Sequence, residues 1–375
     1  MVAQVLKINM SKPKVAVIYL SYFGAASEKD IGLCFASLEK VDYPLDKWKL
    51  IIVENPSPHG ASIPFIERDW LPKAGKTLPE IEIIPNTKDG GYAGANVVGA
   101  EAAEAWGADY VYLLNQDATV DGGFLSKAIE YAEKYPKAAV IQSRIMLRQD
   151  PFRLNTIGNA VTFLGFGFCI GEGQTLEEAK NNKLPVFAAS GAGVLVGVKA
   201  LNQIGGLFDP DYYLYHEDTD LSWRARLAGF DVAVANDSVI YHHYEFSRSV
   251  SKFYWMERNR HLMNLSNYKI ATILCLLPIV IPVELGMFAL NAKSGWGKEK
   301  WRSWVQFLKP QMWQWVVRRH KLVNSFRKIK DQEVLSLMVP EITSRIDQVN
   351  HPLVTYVANP ILRVYFVLLK FVVRW

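Results

Sequence analysis

From residue 14 to about residue 120, short β-rich apolar runs alternate with helix-patterned stretches, and no other feature of the chain narrows its fold so far. The order is KVAVIYLSY, DIGLCFASLEK, WKLIIVEN, IEIIPN, GANVVGAEAAEAWG and YVYLLNQD. Strands joined through helices run parallel, and a parallel sheet is covered on both faces. Ligands in such sheets sit beyond the carboxyl ends of the strands. Tyr22, Glu54, Asn86 and Asp117 each stand where an apolar run stops, so the pattern predicts that they share one rim.

Further along, Asp121, Gly122 and Gly123 break the chain, FLSKAIEYAEKYP predicts an amphipathic helix ending before Pro136, and KAAVIQSRIML reads as another strand. Residues 151–185 are richer in glycine and polar residues and suggest an excursion with hairpin character. PVFAASGAGVLVGVKAL returns to a strand after a small-residue turn. DTDLSWRARLAG predicts a helix closed by Gly229, and FDVAVANDSVIYHH the last strand of a unit covering residues 1–265.

After about residue 265 the texture changes. Ile270 to Leu290 has one acid, Glu284, and two prolines, Pro278 and Pro282; its length permits a membrane span, and because the prolines would kink it, a re-entrant or interfacial pair of short helices is an equal alternative. Between Asn291 and Lys330 eleven lysines and arginines stand against one acid, Glu299, with five of the chain's eleven tryptophans among them. Cations interleaved with indoles suit an anionic membrane surface better than nucleic acid, because the flanking segments are apolar. ILRVYFVLLKFVVRW puts Arg363, Lys370 and Arg374 on one helical face, the pattern of a helix lying in the interface. Residues 266–375 therefore read as a helical, basic, membrane-associated region. Cys34, Cys169 and Cys275 are far apart with no CxxC pair, which argues against a disulfide framework or a cysteine-based zinc site. The opening MVAQVLKINMSKPK has no apolar run of secretory type, so the N-terminal part is expected in the cytosol.

Three groups of residues offer chemistry. Asp121 is well placed for the turn, which leaves Asp117 available as an oxygen ligand for a hard divalent ion such as Mg²⁺ or Mn²⁺. In HEDTD, Glu217, Asp218 and Asp220 crowd a helix start; capping explains one or two of them, and a carboxylate facing the rim could take a proton from an incoming hydroxyl. His242 and His243 follow the strand SVIY, where an imidazole beside an Asp-based site is a plausible nitrogen ligand. Ser247, Arg248 and Ser249, with Arg258 and Arg260 further on, supply donors suited to a diphosphate. GGYAGANVVGA, residues 90–100, raises a nicotinamide-enzyme reading, but its spacing is not G-x-G-x-x-G and it follows the third strand, not the first.

Taken in order, VAVIYLSYFG, IIVENPS, NTKDGGYAGANVVGA, YVYLLNQDATV, ASGAGVLVG, FDPDYYLYHEDTDLSWRARLAGF, VIYHH and FYWMERNR resemble the family 2 glycosyltransferases, inverting nucleotide-sugar enzymes of the GT-A fold, and within them the rhamnosyltransferase-like group of bacterial polysaccharide assembly. The resemblance implies an α/β catalytic domain with a Rossmann-like, mostly parallel sheet, followed by the helical region. It implies a nucleotide-sugar pocket with Tyr22, Glu54, Asn86, Gly91, Asn96, Gln116 and Arg248, and an acceptor side with Ser190, Gly191 and Trp223, Arg224 sharing the helix of Trp223. Asp117 matches the surviving acid of the DxD-type motif and His242 the histidine that completes a Mg²⁺ or Mn²⁺ site in some members. Asp218 resembles the catalytic base, with Glu217 the second choice. Two positions depart from the pattern: Asn115 stands where the motif has its first acid, and Val53-Glu54-Asn55 replaces Val-Asp-Asn. The expected partners are a nucleoside-diphosphate sugar such as dTDP-rhamnose or a UDP-hexose, a glycan or polyprenyl-linked acceptor, and an anionic membrane surface, with no nucleic acid. The expected location is the cytoplasmic face of the membrane, peripheral or monotopic. The rival of another class is a membrane-attached sugar-nucleotide-binding protein without turnover.

Overall fold

A computed structural model describes residues 12–244, 253–292, 296–342 and 351–375. The first half follows the alternating pattern: β1 (Val15–Ser21), α1 (Glu28–Leu38), β2 (Trp48–Glu54), α2 (Ile63–Asp69), β3 (Glu80–Pro85), α3 (Gly91–Ala105) and β4 (Tyr110–Asn115). These four strands are parallel in the order β3-β2-β1-β4. Ala16 and Ile18 enter one apolar core, while Val15, Val17 and Tyr19 enter a second on the opposite face, so the sheet is covered on both sides.

The remaining strands make the sheet mixed. After β4 come β5 (Ala118–Val120), α4 (Phe124–Lys134), β6 (Ala138–Leu147), β7 (Leu154–Thr156), the hairpin of β8 (Asn159–Val161) and β9 (Gly167–Cys169), α5 (Leu176–Ala179), β10 (Gly193–Gly197), α6 (Val198–Gln203), α7 (Glu217–Leu227) and β11 (Asp231–His242). The order continues β4-β10-β6-β11-β5; β10 is antiparallel to both neighbours, and β5 is antiparallel to β11. Only Gln116 and Asp117 separate β4 from β5, yet three strands lie between them in the sheet. A flat sheet would need about 19 Å for that step, and three residues span at most about 11 Å. The sheet therefore curls, and the curl carries β11 back towards the end of β4.

The C-terminal helices are α8 (Phe253–Asn267), α9 (Ile270–Asn291), α10 (Trp296–Gln306), α11 (Pro310–Phe326), α12 (Asp331–Ser336) and α13 (Asn359–Val372). They share a core with α7: Trp223, Trp315, Val316, Leu362 and Phe366 belong to one apolar cluster. Of the two alternatives over 270–290, one span-length segment or a pair of short helices, the structure has a single helix of 22 residues that passes through both prolines. Pro278 and Pro282 lie four residues apart on its exposed side, so the lost backbone bonds fall on one strip, while Thr272, Leu276 and Ile279 hold the opposite side. On α13, Leu362, Phe366, Leu369 and Val373 form the packed stripe. Arg363 and Lys370 are exposed, but Arg374 lies beyond the helix end and does not extend their face.

Candidate functional site

Parallel register brings the strand ends level, with Ser21 beside Glu54 and Glu54 beside Pro85. A cleft of about 450 Å³ opens over this rim, lined among others by Tyr22, Asn55, Gly91, Gln116, Asp117 and His242. A chain of amides shapes its wall: Asn86 Nδ2 donates to Asn55 Oδ1 at 2.8 Å, and Asn55 Nδ2 donates to the Gly91 carbonyl at 3.0 Å. Gly91 has φ +64°, and a Cβ there would stand 2.3 Å from the Tyr213 carbonyl oxygen, so only glycine fits. Asp89, to which the sequence assigned no role, accepts from the Gly91 N–H at 2.8 Å and from the Tyr213 hydroxyl at 2.6 Å. The available signal was an acid just before Gly90-Gly91, where a short acceptor commonly shapes a turn.

Several expected rim residues serve the scaffold instead. Glu54 is buried and is not among the residues that line the cleft; it accepts from the Ser62 N–H and, at 2.5 Å, from the Ser62 hydroxyl at the start of α2. Gln116 lines the cleft, but its amide is engaged by the Tyr22 backbone, accepting from N–H at 2.8 Å and donating to C=O at 3.2 Å. Asn96 is buried and donates to the Tyr92 carbonyl at 2.8 Å. Ser247, Arg248 and Ser249 lie outside the described residues.

The curl of the sheet assembles a second cluster. Because β5 pairs with β11, His242 lies opposite Ala118, and its Nε2 comes within 3.2 Å of Asp117 Oδ1 and 3.2 Å of Asn115 Nδ2. Nδ1 lies 3.0 Å from Asn155 Oδ1, an acceptor from β7 that sequence reasoning missed. In the tautomer whose Nδ1 donates to Asn155, Nε2 carries the lone pair that a metal ligand needs. Buried Asn115 Oδ1 has no partner among the described residues. That donor set, carboxylate, imidazole and amide oxygen, fits a divalent cation. Asp121 takes the turn role, accepting from Gly123 N–H at 3.0 Å.

Glu217 and Asp218 open α7, just behind the residues that line the cleft at Tyr213, Leu214 and Tyr215. The approach is unusual: Tyr213, Tyr215 and His216 all have positive φ, of 60°, 70° and 67°, which costs non-glycine residues about 1–2 kcal/mol each. Asn259 on α8 holds this loop, its fully buried Nδ2 lying 2.8 Å from the carbonyls of Tyr212, Leu214 and Tyr215. Arg258 donates to the carbonyls of Asp211 and Tyr212, so it supports the loop and is not a rim cation. Asp218 is partly exposed; Oδ2 accepts from Gly191 N–H at 3.0 Å and Oδ1 from Thr219 N–H at 2.6 Å. Burial raises its pKa, and these hydrogen bonds offset part of the rise. Glu217 is 5% exposed with Oε2 unpartnered among the described residues, and burial, then Asp218, raises it well above the usual carboxylate range. Gly191 accepts at its carbonyl from the Tyr92 hydroxyl at 2.7 Å, so Tyr92, a cleft residue, connects to the N–H that holds Asp218. Ser190 donates its N–H to Gln142 Oε1 at 2.7 Å in the same strand approach.

Behind the rim the remaining charges are structural. Trp223 has no exposed surface; it packs edge-on against Phe187 and Tyr268, on the helix behind the carboxylate pair. Fully buried Asp220 takes Arg224 Nε at 2.7 Å, Arg319 Nη2 at 2.8 Å and Asn267 Nδ2 at 2.9 Å. Arg260 is buried, bonding Glu257 at 2.9 Å and Glu284 at 2.6 Å, so it offers nothing to a diphosphate. Glu257, His261 and Glu284 are close enough to resemble a metal cluster, but Lys300 Nζ stands 2.5 Å from Glu257 and 2.9 Å from Glu284. Two resident cations already neutralise these acids.

Comparison with known proteins agrees with this geometry. The family model described as glycosyltransferase like family 2 matches residues 25–264. The N-acetylglucosaminyl-diphospho-decaprenol L-rhamnosyltransferase of Mycobacterium tuberculosis is 27% identical over 196 residues, covering 46% of this chain and 63% of its own length. This chain thus spans less than two thirds of that relative. The mannosyltransferase PcManGT from Pyrobaculum calidifontis, solved with GDP-Man and Mn²⁺, has a TM-score of 0.51 at 15% identity over 84% of this chain and 86% of that one. GalNAc-T7, solved with UDP, GalNAc and Mn²⁺, has a TM-score of 0.52 at 13% identity over 68% of this chain and 48% of that one. S. aureus TarS gives 0.50 at 16% identity over 96% and 54%. These structures are GT-A glycosyltransferases, and at such identities they establish the fold: the curled mixed sheet is of their kind. With the family model covering residues 25–264, the chain belongs to the glycosyltransferase like family 2.

Proposed function

We propose that the protein is an inverting glycosyltransferase that moves a sugar from a nucleoside-diphosphate sugar, dTDP-rhamnose or a UDP-hexose, to a hydroxyl of a lipid-linked or glycan acceptor. The observation that carries this reading is the convergence on Tyr92, a cleft residue, of the Asp117–His242 pair and the Glu217–Asp218 pair, whose three carboxylates all act electrostatically on its hydroxyl. One side suits a diphosphate bridged by a divalent cation, the other an acceptor hydroxyl. The rhamnosyltransferase relative, whose name specifies a decaprenyl-diphosphate-linked sugar, supports a lipid-linked acceptor. The basic, Trp-rich C-terminal region supports a site of action at the cytoplasmic face of the membrane.

In the proposed reaction the acceptor hydroxyl attacks the anomeric carbon as the bond to the nucleoside diphosphate breaks. Asp218 is the base: it is the more exposed of the two acids, and Gly191 and Thr219 N–H groups orient its carboxylate. Glu217, held higher in pKa by deeper burial, keeps its proton and spares Asp218 a like charge. Asp117 and His242, with Asn115 Oδ1, would hold Mg²⁺ or Mn²⁺, which when bound supplies positive charge to the departing diphosphate. Tyr22, Asn55 and the Gly91 turn form the wall for the nucleoside.

The test is nucleotide release from a panel of sugar nucleotides with Mn²⁺ and a lipid-linked acceptor. Asp218→Asn should abolish release while donor affinity stays nearly intact, and Asp117→Ala should remove the metal dependence of donor binding. An Asp218→Asn variant with ordinary turnover would sink the assignment. Donor binding without any release from the unaltered chain would favour a sugar-nucleotide-binding protein without turnover, a reading to which Asn115 in the DxD position lends some support.

A further inference from the structure

Two helices, α9 and α13, are long and apolar enough to cross a membrane, at 21 and 19 residues with the turn that precedes α13 included. Their packing argues against crossing. They lie side by side, Tyr365 donating to the Cys275 carbonyl and Trp375 Nε1 to Thr272 Oγ1 at 2.8 Å. Each uses one stripe to grip the protein and leaves the other bare. On α9 the bare side is Ile270, Leu274, Leu277, Ile281 and Leu285; on α13 it is Ile361, Val364, Val367, Leu368 and Phe371, all 42–66% exposed. The gripping side of α9 carries Glu284, fastened to Arg260, Lys300 and His261 and accepting from Trp304 Nε1 at 3.1 Å.

We infer that α9 and α13 form one apolar floor that lies in the headgroup–acyl boundary of an anionic bilayer without crossing it. A spanning α9 would either carry Arg260, Lys300 and Glu257 into hydrocarbon or pull Glu284 away from them, leaving charges unpaired at a cost of several kcal/mol. Lying in the plane leaves the ionic cluster intact and wets only its protein side. Charge selects the partner. Among the described residues neither bare side carries an acid, Lys370 is exposed on α13, and Lys298, Lys309, Lys321 and Lys328 of the same region are exposed, whereas Lys300 and Arg319 are spent in buried ion pairs. A second copy's acid-free floor offers Lys370 no counter-charge, whereas anionic headgroups do. The ionic cluster that anchors α9 lies near the cleft: Trp255, a cleft residue, precedes Arg260 by five residues, about 7.5 Å along α8.

This deepens the reading of a lipid-linked acceptor, and flotation and nucleotide release fail separately. The full chain is floated with phosphatidylcholine vesicles and with vesicles containing phosphatidylglycerol, as are Leu274→Asp/Ile281→Asp and Val364→Asp/Val367→Asp. Flotation should need the anionic lipid and fall about tenfold or more in each variant, with unchanged thermal melting because the new acids sit on exposed sites. Cysteines placed by Ile270→Cys and Leu290→Cys on protein added to sealed vesicles should both react with a membrane-impermeant thiol reagent. Protection of one end until the vesicles are opened would mean a span and would overturn the inference. So would variants that convert a lipid-free dimer to monomer while floating as before. A protein that floats but releases no nucleotide from any donor would refute the transferase reading and leave the floor standing.

Discussion

Arg319→Met isolates the dependence of the carboxylate pair on the C-terminal helices. Arg319 comes from α11 and reaches Asp220, one turn inside α7, at 2.8 Å, and both side chains are at most 3% exposed. Removing one partner of a buried ion pair typically costs about 3–5 kcal/mol. Here Arg224 and Asn267 remain on Asp220, so about 2–3 kcal/mol is expected. Unfolding entropy of about 2.1 cal/mol/K per residue gives about 0.8 kcal/mol/K for a chain of this size, hence a melting decrease of about 3–4 °C. Burial pushes the Asp220 pKa up, but Arg319 and Arg224 outweigh it and leave it below the usual value. A depressed acid stabilises above its unfolded pKa and loses that contribution as pH falls through the folded value, so Arg319→Met should narrow the stability difference between neutral and acid pH. Asp220→Asn in the same chain should restore part of the loss, since Arg224 keeps three carbonyl acceptors, at Ile204, Gly206 and Leu207. Differential scanning fluorimetry from pH 4 to 8, paired with nucleotide release, reads all of this. An unchanged melting temperature, or a double variant no better than the single one, would refute the reasoning.

Other expectations follow from the same geometry. Burial raises Asp218, so the acid limb of kcat/KM for nucleotide release should lie above the range of an ordinary exposed carboxylate; a limb near pH 4 would contradict the assignment. Asn259→Asp puts a carboxylate against three carbonyls and should cost about 3 kcal/mol or more of stability, with a rise in donor KM, measured by thermal melting and initial rates. Gly91→Ala places a Cβ 2.3 Å from the Tyr213 carbonyl oxygen and should weaken donor binding about tenfold by titration, because wall and loop must separate.

Much of the scaffold was readable in one dimension, because strand and helix periodicity is local. The alternation over residues 14–120 predicted the parallel half of the sheet, and the termination points of its runs predicted the rim on which Asp117 stands. Side-chain direction was not readable. Glu54, Trp223, Arg258 and Arg260 all have residue types suited to a ligand, yet each faces inward, because burial and partner choice depend on segments remote in sequence. The same holds for Asn259, which acts on a loop more than forty residues earlier. The continuity of α9 was hidden for a related reason: local proline chemistry argued for a break, and packing along the opposite stripe overrode it.

The chain by itself determined a parallel α/β sheet, a rim of polar strand ends, and a basic aromatic C-terminal region, since each is a matter of local pattern. The meeting of Asp117 and His242, expected from the family resemblance and from no local pattern, is made by the tertiary structure. A three-residue β5 pairing with β11 requires the sheet to curl, and curl results from strand order, which no local pattern encodes.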